Sequence, residues 1–483
     1  MSQRTANGNA PPSAATGGPE SWVTFQASDG LEVRGTLLRL TRHSVAFEIF
    51  NPAAALRASE VLNGFKISIG GRPVFFGRAV ISGLVNAGTT LVAEAKLSAP
   101  ETEAAFFLTP AKLSPGTQEA YDCFFQQWQK EYRIAPAFKV LVADIEAYLT
   151  GVRQWLEQIE FTLKESKDCH QAEQEGEMLE VVAHRVITAF NVQHERFEEL
   201  AYQIPPELYG AHQDFVRRHW HKLFLCAPFG HRTYHKPLGY AGDYEMMNMI
   251  HRNGPEGRSL YEKLIHLLLV SQWPAESVRN RVAHLKQNLI SETARVARAG
   301  KRARVLNIGC GPAWEMQDFM RESALSHEAD LTLLDFNQET LDHAGGELGE
   351  LKRRLARRTK IATMNVSVHQ LLRRAVRQGN FGLDGNYDLV YCAGLFDYLA
   401  EDICRELVKL FGHNLLPGGL AVVANMNDSK PFRNFIEFVL DWQLIYRTSH
   451  EVQRFAPEHA VGQTSVIAEP ASVNLFLHLR KPD

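Results

Sequence analysis

Hydrophobic and polar positions change their spacing twice along this chain of 483 residues. Over residues 22–97, short runs of β-branched and aromatic residues are separated by Gly, Asn and Pro. Strands of this length, with no helical pattern between them, predict a small β-barrel or sandwich. We place this domain at residues 21–112. Residues 1–20 before it are rich in Ala, Gly, Pro and Ser and have the composition of a disordered tail.

A helical pattern follows, and we place a helical domain at residues 113–287. Apolar residues recur at i, i+3 and i+4 between Phe138 and Ile159, and a second helix is predicted over about 178–200. Such a stripe favours packing within the chain. A homodimer formed through this domain remains the alternative.

Strand and helix patterns alternate from Arg304 onward, and we place a third domain at residues 288–483. This alternation predicts an α/β fold with a parallel sheet covered by helices on both faces. The last two predicted strands, over 464–467 and 473–479, follow each other closely. They therefore predict an antiparallel hairpin at the end of the chain.

Composition and charge exclude several classes of function. The formal net charge of −3 gives no basic surface for nucleic acid, which we do not expect as a partner. The six cysteines form no Cys-x-x-Cys pair and fit reduced thiols. The most apolar stretch, over 264–270, is too short for a membrane span. Because no secretory signal pattern precedes the first domain, we expect a cytoplasmic protein.

The strongest motif lies over residues 304–313, where an apolar strand leads into a Gly-x-Gly turn at Gly309 and Gly311. Glycine is needed there because the chain must turn sharply and let a nucleotide-like ligand approach. Asp335 ends the next predicted strand, about where a carboxylate would bind ribose hydroxyls. A dinucleotide site is the alternative, but the third glycine of that fingerprint would fall at Trp314.

With the segments over 387–399 and 415–420, this pattern resembles the class I S-adenosylmethionine (SAM)-dependent methyltransferases over residues 304–481. The resemblance implies a Rossmann-like domain with SAM as the cofactor. Asn307 stands where that family usually has an acidic residue, which weakens the expected contact with the methionine end. The resemblance assigns these residues to the cofactor: Asn307, Gly309, Cys310, Gly311, Asp335, Phe336, Asn365, Val366, Cys392 and Ala393.

A second motif covers residues 231–247, which contain two Gly, one Pro and three Tyr residues. It resembles a bacterial methyltransferase subgroup similar to the enzymes that make 3-hydroxypalmitic acid methyl ester. That resemblance implies a lid-like loop over the SAM pocket. His231 and His235 are spaced i, i+4, but no third ligand is evident, so no metal is expected.

The N-terminal barrel resembles a PilZ domain, a bacterial receptor module for cyclic di-GMP. Ser44 of its sequence motif is kept, but Arg42 and Phe47 replace the flanking acid or amide and the glycine. The arginine pair that would hold the nucleotide is missing. We therefore do not expect cyclic di-GMP as a ligand and interpret the domain as a PilZ-like module for protein contacts.

These resemblances imply O-methylation of a carboxylate, such as that of a 3-hydroxy fatty acid, to give a methyl ester signal. A carboxylate is already ionised at neutral pH and needs no general base. Tyr240, Tyr398 and Arg447 are the candidates to orient it. The alternatives are methylation of another small molecule or of a protein side chain, and a non-catalytic SAM-binding regulatory scaffold.

Overall fold

A computed structural model of the chain describes residues 21–26, 32–40, 43–49, 56–69, 72–86, 91–98, 133–165, 171–368, 370–372, 374, 386–428, 433–457, 460 and 463–483. The tail predicted over 1–20 lies outside these residues, as does the first part of the predicted helical domain.

The N-terminal strands form a closed barrel, with neighbours in the order β1-β2-β3-β6-β5-β4. Alternation along the strands turns every second side chain inward, and Phe25, Phe47 and Phe65 meet there with ring centroids 5.5 to 5.6 Å apart. The predicted small barrel is therefore confirmed. Its strands are β1 (Ser21–Gln26), β2 (Glu32–Leu40), β3 (Ser44–Ile49), β4 (Val61–Ile69), β5 (Arg72–Asn86) and β6 (Leu91–Ser98).

The described residues between the barrel and the second sheet are mainly helical. The predicted apolar stripe lies on the first of them, where Phe138, Val142 and Leu149 are buried. Aromatic side chains such as Trp220 and Phe224 form the centre of this core. The helices are α1 (Pro136–Glu165), α2 (Gln171–Tyr202), α3 (Tyr209–Phe224), α4 (Pro228–His235), α5 (Tyr244–Arg252), α6 (Leu260–Val270) and α7 (Trp273–Arg298).

The C-terminal part contains a seven-stranded sheet in the order β12-β13-β11-β10-β7-β8-β9. Strands β7 to β11 are parallel, whereas β13 is antiparallel to both β11 and β12, which confirms the predicted hairpin. The strands are β7 (Ala303–Ile308), β8 (Ala329–Asp335), β9 (Lys360–Asn365), β10 (Tyr387–Cys392), β11 (Leu415–Met426), β12 (Thr464–Ala468) and β13 (Asn474–Arg480).

Helices cover both faces of this sheet, as the alternating pattern predicts. One face packs Val305 and Leu389 against the helix that follows β7, and the other packs Leu306 and Val390 against the helix that follows β10. All six residues of β10 are buried, as expected for a central parallel strand. The helices of this C-terminal part include α8 (Trp314–Glu322), α9 (Gln338–Arg354), α10 (Glu401–Asn414), α11 (Arg433–Val439) and α12 (Ser449–Gln453).

Two helices join the helical core to the sheet. Helix α7 buries Ala275 in the helical core and Leu289 against the sheet, so it crosses the boundary predicted between residues 287 and 288. Helix α11 comes from the C-terminal part but buries Phe435 and Phe438 in the helical core. The domain boundaries therefore remain predictions. No helix in the described part of the chain is long and apolar enough to cross a membrane.

The segment over 231–247 is mostly helical, which corrects its prediction as one loop. Residues 231–235 end α4, and Lys236 closes that helix in a left-handed conformation with φ of 47°. Asp243 starts α5 by accepting a hydrogen bond from the Met246 N–H. Only residues 236–243 between them form a turn. The cap at Asp243 is a local helix signal that the Gly and Tyr content obscures.

A buried carboxylate, Asp441, lies where the helical core meets the barrel. It accepts a hydrogen bond from Arg217 at 2.8 Å and lies 3.6 Å from the Lys236 ammonium. Burial alone raises the pKa of a carboxyl, but Lys236 and Arg217 outweigh that effect and hold the pKa of Asp441 well below its usual range. Lys96 on β6 adds its charge to the same cluster.

We predict that Asp441→Asn lowers the free energy of unfolding by about 3–5 kcal/mol, because it leaves the buried Lys236 and the partly buried Arg217 without their counter-charge. Urea unfolding followed by circular dichroism measures this difference. In the wild type, this stabilisation is fully present above about pH 4 and is lost as the pH falls toward the lower folded-state pKa. The control is Asp402→Asn at an exposed position of α10. Equal losses in the two variants would contradict the prediction.

Candidate active site

The turn after β7 has the backbone that the glycine motif requires. Gly309 and Gly311 have φ values of 65° and 52°, in the left-handed region that glycine adopts without strain. The N–H groups of Gly309 and Cys310 donate to the Leu334 carbonyl at 2.8 and 3.1 Å. A Cβ on Gly311 would meet no atom within 4 Å, because this residue borders an open cavity. The turn thus leaves room for a ligand against its backbone.

Asp335 lies at the end of β8, next to this turn. Its carboxylate is 6% exposed and accepts hydrogen bonds from the N–H groups of Gly311 at 3.3 Å and Asn337 at 3.0 Å. Burial raises the pKa of Asp335, while these backbone donors oppose the rise. A carboxylate at this position has the chemistry required to accept hydrogen bonds from two ribose hydroxyls.

A cavity of about 1460 Å³, its open mouth included, extends from the glycine turn. It lies beyond the carboxyl ends of β7 and β10, where the strand order of the sheet reverses and ligands of open α/β sheets bind. Its lining includes nine residues that the sequence predicts for the site: Tyr240, Gly309, Cys310, Gly311, Asp335, Phe336, Val366, Ala393 and Tyr398.

Besides Asn307 on β7, two predicted cofactor residues do not line the cavity. Asn365 is exposed at the end of β9, where its amide donates to the Phe336 carbonyl at 3.3 Å and to Gln338 at 3.0 Å. Cys392 is buried at the end of β10 and packs in the core under the sheet. These side chains support neighbouring backbone and do not face the ligand space.

Arg447 also lies outside the cavity, which corrects its predicted role in orienting an acceptor. The buried guanidinium donates hydrogen bonds to the carbonyls of Phe396 at 2.9 Å and Leu399 at 2.6 Å, and to Asn425 Oδ1 at 2.5 Å. These acceptors occupy the donors that a carboxylate ligand would need. Arg447 thus fixes the chain after β10, close to Tyr398.

The acid that the motif lacks at Asn307 is supplied by Glu315 in the first turn of α8. The Asn307 amide donates to Glu315 Oε1 at 2.9 Å, and the Tyr391 hydroxyl donates to the same oxygen at 2.8 Å. Glu315 lines the cavity, and burial raises its pKa. The sequence contains a local signal for this role of Glu315, because an acidic residue in the first turn of the helix after the glycines lies near the glycine loop.

Arg281 on α7 brings a cation into the same cavity. Its side chain is 9% exposed, and within the described residues its guanidinium has only the Met247 sulfur, at 4.0 Å, as a hydrogen-bond partner. A Cβ at Gly394 would lie 3.4 Å from this guanidinium, so Gly394 leaves the space beside it open. Arg281 is therefore available to a carboxylate of a ligand. No motif in the sequence marks it.

The cavity wall opposite the glycine turn is mainly apolar. Tyr398 accepts a hydrogen bond from the Trp442 indole N–H at 2.8 Å, and Met426 and Leu444 lie beside them. Asp397 also lines this end, and burial raises its pKa to about 6. Tyr240 lies at the other end, with its ring centroid 5.0 Å from that of Phe336.

A second, smaller cavity of about 450 Å³ extends this apolar end. It shares Pro274, Ile436 and Trp442 with the first cavity. The rest of its lining is apolar except for His194 and Gln272, and it includes Phe229, Leu269, Phe435 and Leu440. The two cavities therefore adjoin at these shared residues, on the apolar side of the first one.

The rings of His231 and His235 lie 4.2 Å apart at the end of α4. Within the described residues, no group of three or more His, Cys, Asp or Glu side chains is arranged to hold a metal ion.

The strand order and the glycine turn define a Rossmann-like α/β fold. No family model matches the chain, and no curated protein matches it in sequence. Among solved structures, it is similar to a possible exported protein from Bordetella parapertussis, at 17% identity and a TM-score of 0.41, over 62% of this chain and 97% of that chain.

It is also similar to magnesium protoporphyrin IX methyltransferase from Synechocystis PCC 6803 with bound S-adenosylhomocysteine (SAH), at 10% identity and a TM-score of 0.32 over 50% of this chain and 95% of that chain. An N-methyltransferase from Bradyrhizobium japonicum WM9 in complex with SAH has 15% identity and a TM-score of 0.27, over 42% of this chain and 87% of that chain. The function proposed below rests on this chain's own residues.

We predict that Asp335→Ala weakens SAH binding about ten- to a hundredfold, because a buried carboxylate that accepts two hydroxyl hydrogen bonds is lost. Calorimetric titration of both proteins measures the two Kd values. Burial raises the pKa of Asp335, so the wild-type affinity for SAH should fall as the pH is lowered and this carboxylate becomes protonated. The control is Asp342→Ala at an exposed position of α9. Unchanged SAH binding by Asp335→Ala would remove this residue from the site.

Proposed function

We propose that this chain is a SAM-dependent methyltransferase whose acceptor is the carboxylate of an apolar small molecule, such as a 3-hydroxy fatty acid. One observation carries this proposal. One cavity has a glycine turn and a buried carboxylate at one end and an apolar wall at the other, where a second, smaller cavity adjoins it. The site thus has room for a nucleoside cofactor and, beyond it, for an acceptor with little charge.

The residues around the glycine turn fit SAM. The open backbone at Gly311 and the carboxylate of Asp335 suit the ribose, and Phe336 and Val366 supply an apolar surface for adenine. SAM carries an ammonium and a carboxylate on its methionine part. The side chains in the cavity that complement these groups are Glu315 and Arg281, whose charges lie close enough to interact.

SAM supplies a methyl group on a sulfonium, which is displaced in line by a nucleophile. The protein must hold the nucleophile in that line and keep water away. The walls formed by Met426, Ile436 and Leu444 exclude water from the acceptor's end of the cavity. The Tyr398 hydroxyl accepts from Trp442 and keeps its own proton to donate to an acceptor oxygen. Burial raises the pKa of Tyr398, so it remains a neutral donor at physiological pH.

A fatty acid matches the remaining features. Its carboxylate is ionised at neutral pH and requires no proton transfer to the protein. Its hydrocarbon chain would enter the second cavity past Trp442 and Ile436. Burial of apolar surface there stabilises the complex by roughly 0.8 kcal/mol per CH₂ group.

Asp397 supports a second candidate function. Its carboxylate lines the cavity near Tyr398, and its pKa of about 6 suits a general base at neutral pH. Such a base would activate a hydroxyl or amine acceptor. Asp397 Oδ1 accepts a hydrogen bond from the Met426 N–H at 2.6 Å, which favours a role in holding the backbone.

The reaction is tested by incubating the full chain with methyl-labelled SAM and a series of 3-hydroxy and unsubstituted fatty acids. We predict labelled methyl esters and release of SAH. Tyr398→Phe should lower kcat/KM for the fatty acid about tenfold, because a hydrogen bond to a charged group is lost, while the Kd for SAH stays unchanged. The control is Tyr202→Phe at an exposed position. SAH binding without transfer to any acceptor would favour a regulatory scaffold instead.

The dependence of kcat on pH separates the two candidate acceptors. For a carboxylate acceptor, we predict that Asp397→Asn keeps most of the activity and that the rate does not fall by half near pH 6. For a hydroxyl or amine acceptor, Asp397 must be ionised, so the rate falls as the pH drops through about 6 and Asp397→Asn abolishes it. Asparagine keeps the oxygen that accepts from the Met426 N–H, so the variant tests charge and preserves the local fold.

A further inference from the structure

The connection that leads into barrel strand β4 lies against both ends of the candidate active site. The Ala58 N–H donates to the Tyr398 carbonyl at 3.3 Å, and the Val61 N–H donates to the Gly239 carbonyl at 2.9 Å. Between them, the Ser59 hydroxyl donates to the Gln443 carbonyl at 2.7 Å. The barrel is thus hydrogen-bonded to the turn before α5, to the chain after β10 and to the chain after α11.

The backbone of this connection is held in an unusual conformation. Ser59 is fully buried and has φ of 61°, in the left-handed region where a residue with a Cβ costs about 1 kcal/mol or more. The Arg57 N–H donates to Glu60 Oε2 at 2.8 Å, which closes the same turn. Such a conformation persists when the surrounding structure fixes it. Arg57, two residues before Ser59, lines the cavity.

Arg57 reaches from the barrel over the cofactor end of the cavity. Its guanidinium lies 4.0 Å from the centre of the Phe336 ring, next to Asp335. The residue is 9% exposed, and no residue in the described part of the chain accepts a hydrogen bond from its guanidinium. A nearly buried guanidinium with unused donors at the edge of a cavity is suited to a ligand that offers nitrogen and oxygen acceptors.

We propose that the N-terminal barrel forms one wall of the adenosine site and that Arg57 is a cofactor-binding residue. The flat guanidinium covers the adenosine beside Phe336 and donates hydrogen bonds to its ring nitrogens or ribose oxygens. This inference rests on the proposed function, since it takes SAM as the ligand. It assigns the barrel a part in cofactor binding, which its PilZ-like sequence does not indicate.

Coupling between the barrel and the cofactor follows from this arrangement. A ligand that binds Arg57 stabilises the docked barrel, and by linkage a firmly docked barrel raises the affinity for the ligand by the same factor. Burial raises the pKa of Asp335, and the charge of Arg57, like the backbone N–H groups of Asn337 and Gly311, opposes that rise and favours the carboxylate form. A partner that pulled on the barrel would thereby weaken cofactor binding.

The test is calorimetric titration of the full-length wild type, Arg57→Ala and Arg57→Lys with SAH and with 5′-methylthioadenosine, which has the adenosine but no amino-acid part. For Arg57→Ala we expect the Kd of both ligands to rise about tenfold and by the same factor, with a smaller rise for Arg57→Lys. The matched control is Arg39→Ala on the exposed barrel surface, where Arg39 pairs with Glu94.

Wild-type affinity in Arg57→Ala overturns the inference and leaves the proposed function intact. A wild type that binds neither ligand overturns the proposed function, and the inference with it. If Arg57→Ala does not fold, the inference is tested by hydrogen–deuterium exchange of the wild type with and without SAH. SAH should slow exchange of the Ala58, Ser59 and Val61 amides, and unchanged exchange there overturns the inference.

Discussion

The helices that follow β7 and β10 pack on opposite faces of the sheet, and this opens a crevice between the carboxyl ends of these two strands. The other parts of the site depend on this constraint. The glycine turn borders the crevice, and the strand next to β7 brings Asp335 to its edge. Helix α7, the segment over 236–243 and the barrel connection then close it from three further directions. The pocket is therefore built from parts of the chain more than two hundred residues apart.

Charge in the pocket is arranged for a ligand rather than for internal pairing. Asp441 below the barrel is paired with two cations, as a structural carboxylate usually is. In the cavity, by contrast, no described residue accepts a hydrogen bond from the Arg57 guanidinium, and the Arg281 guanidinium contacts the Met247 sulfur; among the same residues, Asp335 accepts hydrogen bonds from backbone N–H groups. A ligand that carries a positive charge, a negative charge and a ribose would supply hydrogen-bond partners for these three side chains. The described lining of the smaller cavity past Trp442 contains no Asp, Glu, Lys or Arg, which supports the proposed apolar acceptor.

The sequence predicts the parts of the site that depend on local pattern. Gly309, Gly311 and Asp335 follow from the alternation of strands and helices and from the turn that only glycine adopts easily. It does not predict Arg57 or Arg281, because no local pattern marks an arginine whose role comes from packing against residues far away in the chain. Arg447 is the opposite case. Its motif predicts a contact with the ligand, but in the folded chain its guanidinium donates hydrogen bonds to backbone carbonyls. Asp243 is an N-cap residue that predicts the start of a helix, but the glycines around it favour a loop when only the sequence is considered.

A crystal structure of the full chain with bound SAH tests the central claim most directly, namely that one cavity formed by all three parts of the chain holds the cofactor and faces the acceptor. The account predicts the ribose hydroxyls on the Asp335 carboxylate, the adenine beside Phe336 and Arg57, and the sulfur directed toward Tyr398. SAH bound elsewhere, or bound here with its sulfur directed away from the apolar chamber, would contradict it.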